Sequence, residues 1–259
     1  MRADKRLGQH FLRDPEVLAE IAAIADVSRS AGVLEIGPGE GALTAFLVRS
    51  DKPVIAVDRD PRAIAAIQER FGDRVQAVEG DAVQADYASL LPSPTPEGLR
   101  PVVVGNLPYN AGTAIYRKLL TLGDSVSRHV LMFQREVAQR IVAAEGTRAY
   151  GLLSVMTAMH AQAWLVLNVP PTAFRPVPKV DSAVILVEPR AEPLILAEER
   201  DGFHSFLGDF FRTRRKTLQN GFGHTELLKS LGVNPKQRPE SVAPEVLVTL
   251  YRAISARAG

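Results

Sequence analysis

Cysteine is absent from this chain of 259 residues. That excludes a disulfide framework, a thiolate nucleophile and any Cys-ligated zinc or iron–sulfur centre. Histidine is sparse: His10, His129, His160, His204 and His224 are scattered without metal-ligand spacing, so no metal site is expected. No apolar run is long enough to span a bilayer, and charges stand near the start where a secretory signal would need an apolar stretch. A cytoplasmic protein with no membrane partner is therefore expected. A large excess of one charge is missing too: 31 basic against 29 acidic residues leave +2, so any nucleic-acid contact must rest on local clusters. What the chain does have is apolar material. At 46% hydrophobic residues it can bury a core of one large α/β domain plus a smaller appendage.

After basic residues at Arg2, Lys5, Arg6 and Arg13, Asp14-Pro15-Glu16 reads as an N-cap, a proline at the first helical position and an acid in the first turn. Val17, Leu18, Ile21 and Ile24 continue at helical spacing to about Asp26. Short apolar runs then follow at Val33–Ile36, Val54–Val57, Val75–Val78, Val102–Val104 and Val130–Phe133. Helical patterns stand between them, near Gly41, from Pro61 and over Thr113–Leu122. Strands of near-continuous apolar character alternating with helices predict a doubly wound parallel sheet covered on both faces. Ala163–Val169 and Ser182–Val187, joined through prolines rather than a helix, predict an antiparallel closing pair. Helical stretches around Gly202–Phe211, Glu226–Leu231 and Pro244–Ile254 predict a small helical domain, with the boundary near Arg190: residues 1–190 and 191–259.

Glu35-Ile36-Gly37-Pro38-Gly39-Glu40-Gly41 joins a predicted strand to a predicted helix, where an open α/β sheet binds its ligand. Pro38 has no N–H to offer a pyrophosphate, and Glu35 and Glu40 repel one. An acid-rich loop suits a cation. S-adenosylmethionine carries a sulfonium and an ammonium group and no phosphate. Asp58, ending the second strand, is placed to accept both hydroxyls of a ribose, and Asp81, after the third, can accept from an adenine amine. For each single acid a helix cap or a solvated strand end is an equal alternative; Asp60 before Pro61 reads as such a cap.

Asn106-Leu107-Pro108-Tyr109 follows the next strand and stands at the same sheet edge. The lone pair of an adenine N6 amine is delocalised into the ring. Two acceptors, the Asn106 side-chain oxygen and the Leu107 carbonyl, can take its two N–H groups and turn that lone pair toward a sulfonium methyl. Tyr109 can stack on the extruded base. Phe174, in a proline-rich connection, is a second aromatic wall if the fold sets it opposite Tyr109; buried packing against the sheet is the alternative. Arg212, Arg214, Arg215 and Lys216 form a run without a compensating acid inside it, which fits phosphate contact and, less specifically, a solvated helix face.

Together these segments resemble the small-subunit rRNA dimethyladenosine transferase family, related to the erythromycin-resistance rRNA methylases and the mitochondrial transcription factor B proteins. The likeness runs over Leu7–Leu12, Glu35–Gly41, Gly80-Asp81-Ala82, Asn106–Asn110, Gln134–Ala138, Tyr150–Ser154, Phe174–Val184 and Arg212–Leu218. It implies a Rossmann-like S-adenosylmethionine-dependent methyltransferase sheet with a small helical C-terminal domain that docks on RNA. It further implies cofactor contacts from Gln9, His10, Phe11, Leu12, Glu35, Gly37, Gly39, Asp58, Arg59, Asp81, Ala82 and Asn106, and a base site at Asn106, Leu107, Pro108, Tyr109 and Phe174. The implied substrate is a pair of adjacent adenines in the hairpin near the 3′ end of 16S rRNA, within the small ribosomal subunit. Loss of the activity in the family gives kasugamycin resistance, and the chain is expected to act as a monomer. The family usually carries a glutamate where this chain has Asp58, one carbon shorter. A non-catalytic assembly or transcription factor on the same fold is the competing class, which the intact Asn106–Tyr109 segment opposes. An enzyme acting on large-subunit rRNA would share every site residue.

Overall fold

The computed structural model describes residues 9–258, so Arg2, Lys5, Arg6, Leu7 and Gly8 lie outside the described residues. Two compact units result. The first comprises the described residues up to 138 together with residues 162–191, the second residues 139–161 and the described residues from 192 onward. Instead of the single boundary expected near Arg190, the chain thus enters the second unit, returns to the first and leaves it again.

The first unit carries strands β1 (Phe11–Leu12), β2 (Val33–Ile36), β3 (Val54–Asp58), β4 (Gln76–Glu79), β5 (Val102–Asn106), β6 (Arg128–Gln134), β7 (Ala161–Val169), β8 (Phe174–Arg175) and β9 (Ser182–Pro189). Its helices are α1 (Pro15–Ala25), α2 (Thr44–Leu47), α3 (Pro61–Phe71), α4 (Tyr87–Leu90), α5 (Gly112–Leu120) and α6 (Arg135–Ile141), the last running into the second unit. Seven strands form one sheet in the order β4-β3-β2-β5-β6-β9-β7. β2 pairs in parallel with both β3 and β5, β5 pairs in parallel with β6, and β6 pairs antiparallel with β9. Every residue of β2 is buried, as a central strand between two helical layers requires.

Strand order reverses between β2 and β5, because β3 and β4 extend the sheet one way and β6 the other. That is the switch point above which such sheets open a crevice. The register aligns the strand ends: Ile36 lies opposite both Val57 and Gly105, and Asp58 opposite Glu79. The glycine turn, Asp58 and Asn106 therefore leave the sheet side by side.

Local chemistry sets the helix starts. Asp14 accepts from the backbone N–H groups of Glu16 and Val17, with Pro15 at the first position of α1. Asp60 does the same for α3 through Arg62 N–H. The helix expected near Gly41 begins only at Thr44, since Gly37, Gly39 and Gly41 all take positive φ and keep the loop out of helical geometry.

The second unit carries α7 (Leu152–His160), α8 (Arg200–Arg212), α9 (Leu218–Gly221), α10 (Thr225–Ser230) and α11 (Pro244–Ala258). Tyr150, Val155, Phe203, Leu207, Phe210 and Leu247 are buried in its own core. The Tyr150 hydroxyl donates to the Val242 carbonyl at 2.9 Å, and Leu194 N–H to the Met159 carbonyl at 2.9 Å. These bonds tie residues 139–161 to the C-terminal helices, which is why that segment belongs here rather than with the sheet.

Candidate active site

The turn after β2 lies against the segment after β5. A side-chain carbon on Gly37 would stand 3.5 Å from the Asn106 carbonyl oxygen, so backbone meets backbone at this point. A cleft opens above, lined by Gln9, His10, Phe11, Gly37, Gly39, Asp58, Arg59 and Asn106–Tyr109. A second, more apolar recess adjoins it and shares Phe11, Gly37 and Asn106; Glu35, Leu12, Leu18, Ile21 and Met132 also line it. The glycine turn and the Asn106–Tyr109 segment thus border one cleft.

Glu35 sits on β2 at 2% exposure, and the Thr44 hydroxyl donates to it at 2.6 Å. Burial pushes its pKa up to about 7, an effect that the Thr44 bond opposes and the nearby Asp58 charge reinforces. Asp58 is half-buried at the end of β3. Its carboxylate accepts from Asp60 N–H at 2.9 Å and from Gly39 N–H at 3.4 Å, and burial raises its pKa against those bonds. A buried carboxyl and a half-buried one, facing apolar walls and two glycines, fit a cationic ligand with a ribose. They do not fit a phosphate. Among the described residues no group of His, Asp and Glu side chains can hold a metal ion.

Residues 9–13 form a strap across this cleft. Gln9 Nε2 donates to Asp60 Oδ2 at 3.1 Å. Asp60 is held in turn by Arg62, whose guanidinium keeps its carboxyl down at about 2. The Phe11 ring covers Gly39 so closely that a side-chain carbon there would come within 2.9 Å of it. Arg13 pairs with Glu40. β1 then pairs with β8, Leu12 opposite Phe174 and Phe11 opposite Arg175.

Asn106 Nδ2 donates to the His10 carbonyl at 3.0 Å, which leaves Oδ1 as the end of the amide able to accept. Leu107 is buried, while the Pro108 carbonyl accepts from Ala111 and Gly112 N–H and so caps the turn into α5. The carbonyl that caps the turn and the acceptors that suit a base, Asn106 Oδ1 and the Leu107 carbonyl, are thus different atoms of one segment. The Tyr109 hydroxyl is bonded to Ser182 Oγ at 2.8 Å, and burial raises its pKa. The His10 ring lies on Tyr109, centroids 5.4 Å apart at 29°.

Three expected site residues stand differently. Phe174 is 0% exposed and belongs to the core of the sheet unit, so it is no aromatic wall here; its pairing with the strap draws it inward among Leu12, Val169 and Ala173. Asp81 is exposed and its carboxylate accepts from Val83 N–H, capping the turn that follows β4. The Ala82 carbonyl accepts from the Tyr87 hydroxyl at 2.5 Å. In the second unit the basic run begins at the last residue of α8, Arg212, and continues on the turns after it. Arg212, Arg215 and Lys216 are exposed, Arg212 pairs with Asp209 at 3.2 Å, and Arg214 donates to the Arg148 carbonyl at 2.7 Å. Sequence reading missed Thr44, Asp60 and Ser182 as supports for Glu35, Gln9 and Tyr109. Only Asp60 had a readable signal, and it pointed to its cap alone.

Comparisons with known proteins agree on one family. The family described as Ribosomal RNA adenine dimethylase matches residues 1–255. Proteins named Ribosomal RNA small subunit methyltransferase A are similar throughout. That of Geobacter metallireducens is 38% identical over 271 residues, covering 100% of this chain and 98% of the relative. That of Syntrophotalea carbinolica is 40% identical over 263 residues, covering 98% and 97%. Among solved structures, a dimethyladenosine transferase from Plasmodium falciparum superposes with a TM-score of 0.79 at 26% identity, covering 96% of this chain and 98% of that one. The 23S rRNA methyltransferase ErmE gives 0.69 at 28%, covering 95% and 99%.

Proposed function

This chain belongs to the ribosomal RNA adenine dimethylase family, and on that premise we propose that it dimethylates the N6 amines of two adjacent adenines near the 3′ end of 16S rRNA. The protein is an rRNA methyltransferase that uses S-adenosylmethionine. Its substrate is the hairpin within the small ribosomal subunit during assembly, and it works as a cytoplasmic monomer. Among the described residues no helix is long and apolar enough to cross a membrane. One observation carries the reading: Gly37 backs onto Asn106, so the glycine turn and the base site share a single cleft.

When bound, S-adenosylmethionine supplies an electrophilic methyl on a sulfonium. Glu35 and Asp58 give the cleft its negative charge, Gly37 and Gly39 let the backbone approach closely, and Arg59 lines the rim. Asn106 Oδ1 and the Leu107 carbonyl accept the two amine N–H groups and hold the lone pair in line with the methyl. The His10 carbonyl fixes that amide orientation by occupying Nδ2. Pro108 stiffens the turn, and Tyr109, pinned by Ser182, offers its face to the base. No strong general base is required, because methylation acidifies the amine and water can take the proton. Gln9, His10, Phe11 and Leu12 roof the site. Asp81 and Ala82 hold the adenine of the cofactor from the neighbouring strand end. Phe174 serves by seating the strap rather than by facing the base. Arg212, Arg214, Arg215 and Lys216 contribute positive charge for phosphates.

Nucleoside mass spectrometry after incubation with unmethylated small subunits tests this. N6,N6-dimethyladenosine at two adjacent positions is expected. Modification of one position only, or of large-subunit RNA instead, would overturn it.

A further inference from the structure

The face of Tyr109 is already covered. The His10 ring lies on it with centroids 5.4 Å apart and planes 29° from parallel, and the backbone carbonyl of the same residue takes the Asn106 amide N–H. One residue thus engages both groups assigned to the target base. The His10 ring has one polar contact, Nδ1 at 2.9 Å from the Pro176 carbonyl. The surrounding strap is anchored on each side of it independently: Gln9 on Asp60, the Phe11 ring on Gly39, and the pairing of β1 with β8. His10 can therefore swing aside without the strap coming loose.

We propose that His10 is a place-holder for the target adenine, its ring filling the slot on Tyr109 until an incoming base displaces it. The physical reason is exchange of like for like. An offset aromatic pair with one hydrogen bond gives way to a purine stacked on the same ring, a stronger contact than the one it replaces. The slot stays closed to water and to small planar solutes in the free enzyme, and opening it requires a base delivered in the right place. His10 is a positioning residue that acts before transfer. The proposal rests on the reading that Asn106 and Tyr109 receive an adenine.

The test uses the full chain, a fluorescein-labelled single-stranded RNA holding two adjacent adenines, and anisotropy titrations. His10→Ala is expected to bind this RNA roughly two- to tenfold more tightly than the parent, the range of one aromatic pair. Tyr109→Ala should erase that gain in the double variant. Proton NMR of the unmodified protein gives an independent readout, with His10→Ala supplying the assignment. The His10 ring signal is expected upfield under the Tyr109 ring current, moving downfield as RNA saturates. Equal or weaker binding by His10→Ala, or a His10 signal that RNA leaves in place while binding still depends on Tyr109, would overturn the place-holder. Binding that does not depend on Tyr109 would sink the base-site reading itself, and the proposal with it.

Discussion

The Thr44 hydroxyl donates a 2.6 Å hydrogen bond to a Glu35 carboxyl that is almost wholly buried beside the glycine turn. Burial raises the Glu35 pKa to about 7, so near neutrality the free protein holds a mixture of both forms. A cationic ligand favours the ionised form. Cofactor affinity should therefore fall as pH drops below about 7, approaching tenfold per pH unit, with about one proton released on binding. Calorimetry in buffers of different ionisation enthalpy measures this, and Glu35→Gln should flatten the profile. The stability of the free protein runs the other way. A folded pKa above the ordinary glutamate value of 4.5 gives a contribution that is full below that value and lost as pH rises through about 7.

Asn106→Ala removes the acceptor at Oδ1 and leaves the acids of the cofactor cleft in place. Single-turnover transfer to small subunits should slow on the order of 10²–10³-fold, the effect of deleting one preorganised polar contact in a dry site. Cofactor affinity measured by calorimetry should stay within a few-fold. A large loss of cofactor binding with unchanged transfer at saturation would move Asn106 from the amine to the cofactor.

Gly39 takes φ +56° and faces the Phe11 ring. Gly39→Ala sets a side-chain carbon into that contact and strains the backbone, costing about 1–2 kcal/mol. The expected outcome is a lower Tm together with weaker cofactor binding, because the strap must lift. A variant with parental affinity and Tm would show that Phe11 yields without consequence.

His129, in the middle of the sheet, is 1% exposed, and its Nδ1 has no hydrogen-bond partner among the described residues. Burial lowers its pKa to about 4 from 6.5, so its neutral form stabilises the fold above about 6.5 and that contribution is lost as pH falls toward 4. His129→Leu should reduce the acid sensitivity of urea unfolding in this window by about one proton. An unchanged slope would assign the acid sensitivity to other groups.

Much of the sheet is legible in the sequence because strands covered on both faces must be nearly continuously apolar, as Val102–Val104 is and as Val33–Ile36 is but for Glu35. The meeting of Gly37 with Asn106 follows from the same logic: successive parallel strands end at one edge. Phe174 was not legible. A two-residue strand has no periodicity, and its partners, Phe11 and Leu12, lie far away in the chain. Nor could spacing show that residues 139–161 join the C-terminal helices, since the bonds from Tyr150 to Val242 and from Leu194 to Met159 are long-range. Asp60 before Pro61 reads as a helix cap, which it is; its second oxygen, which holds Gln9, has no signature along the chain.

The basic run divides by geometry into groups with different expected effects. Arg215 and Lys216 are exposed on the turns after α8, whereas Arg214 donates to the Arg148 carbonyl and Arg212 pairs with Asp209. If Arg215 and Lys216 meet phosphates, converting both to Ala removes the release of about two counterions. The logarithmic salt dependence of subunit binding should then flatten by about 1.5. Arg214→Ala should act first on stability, by about 1 kcal/mol, because it frees a carbonyl of the same unit. Binding measured across a range of salt concentrations, alongside thermal unfolding, separates the two. A parental salt slope in the double variant would place this surface outside the interface, whereas an Arg214 variant of full stability and flattened slope would return that residue to the phosphates.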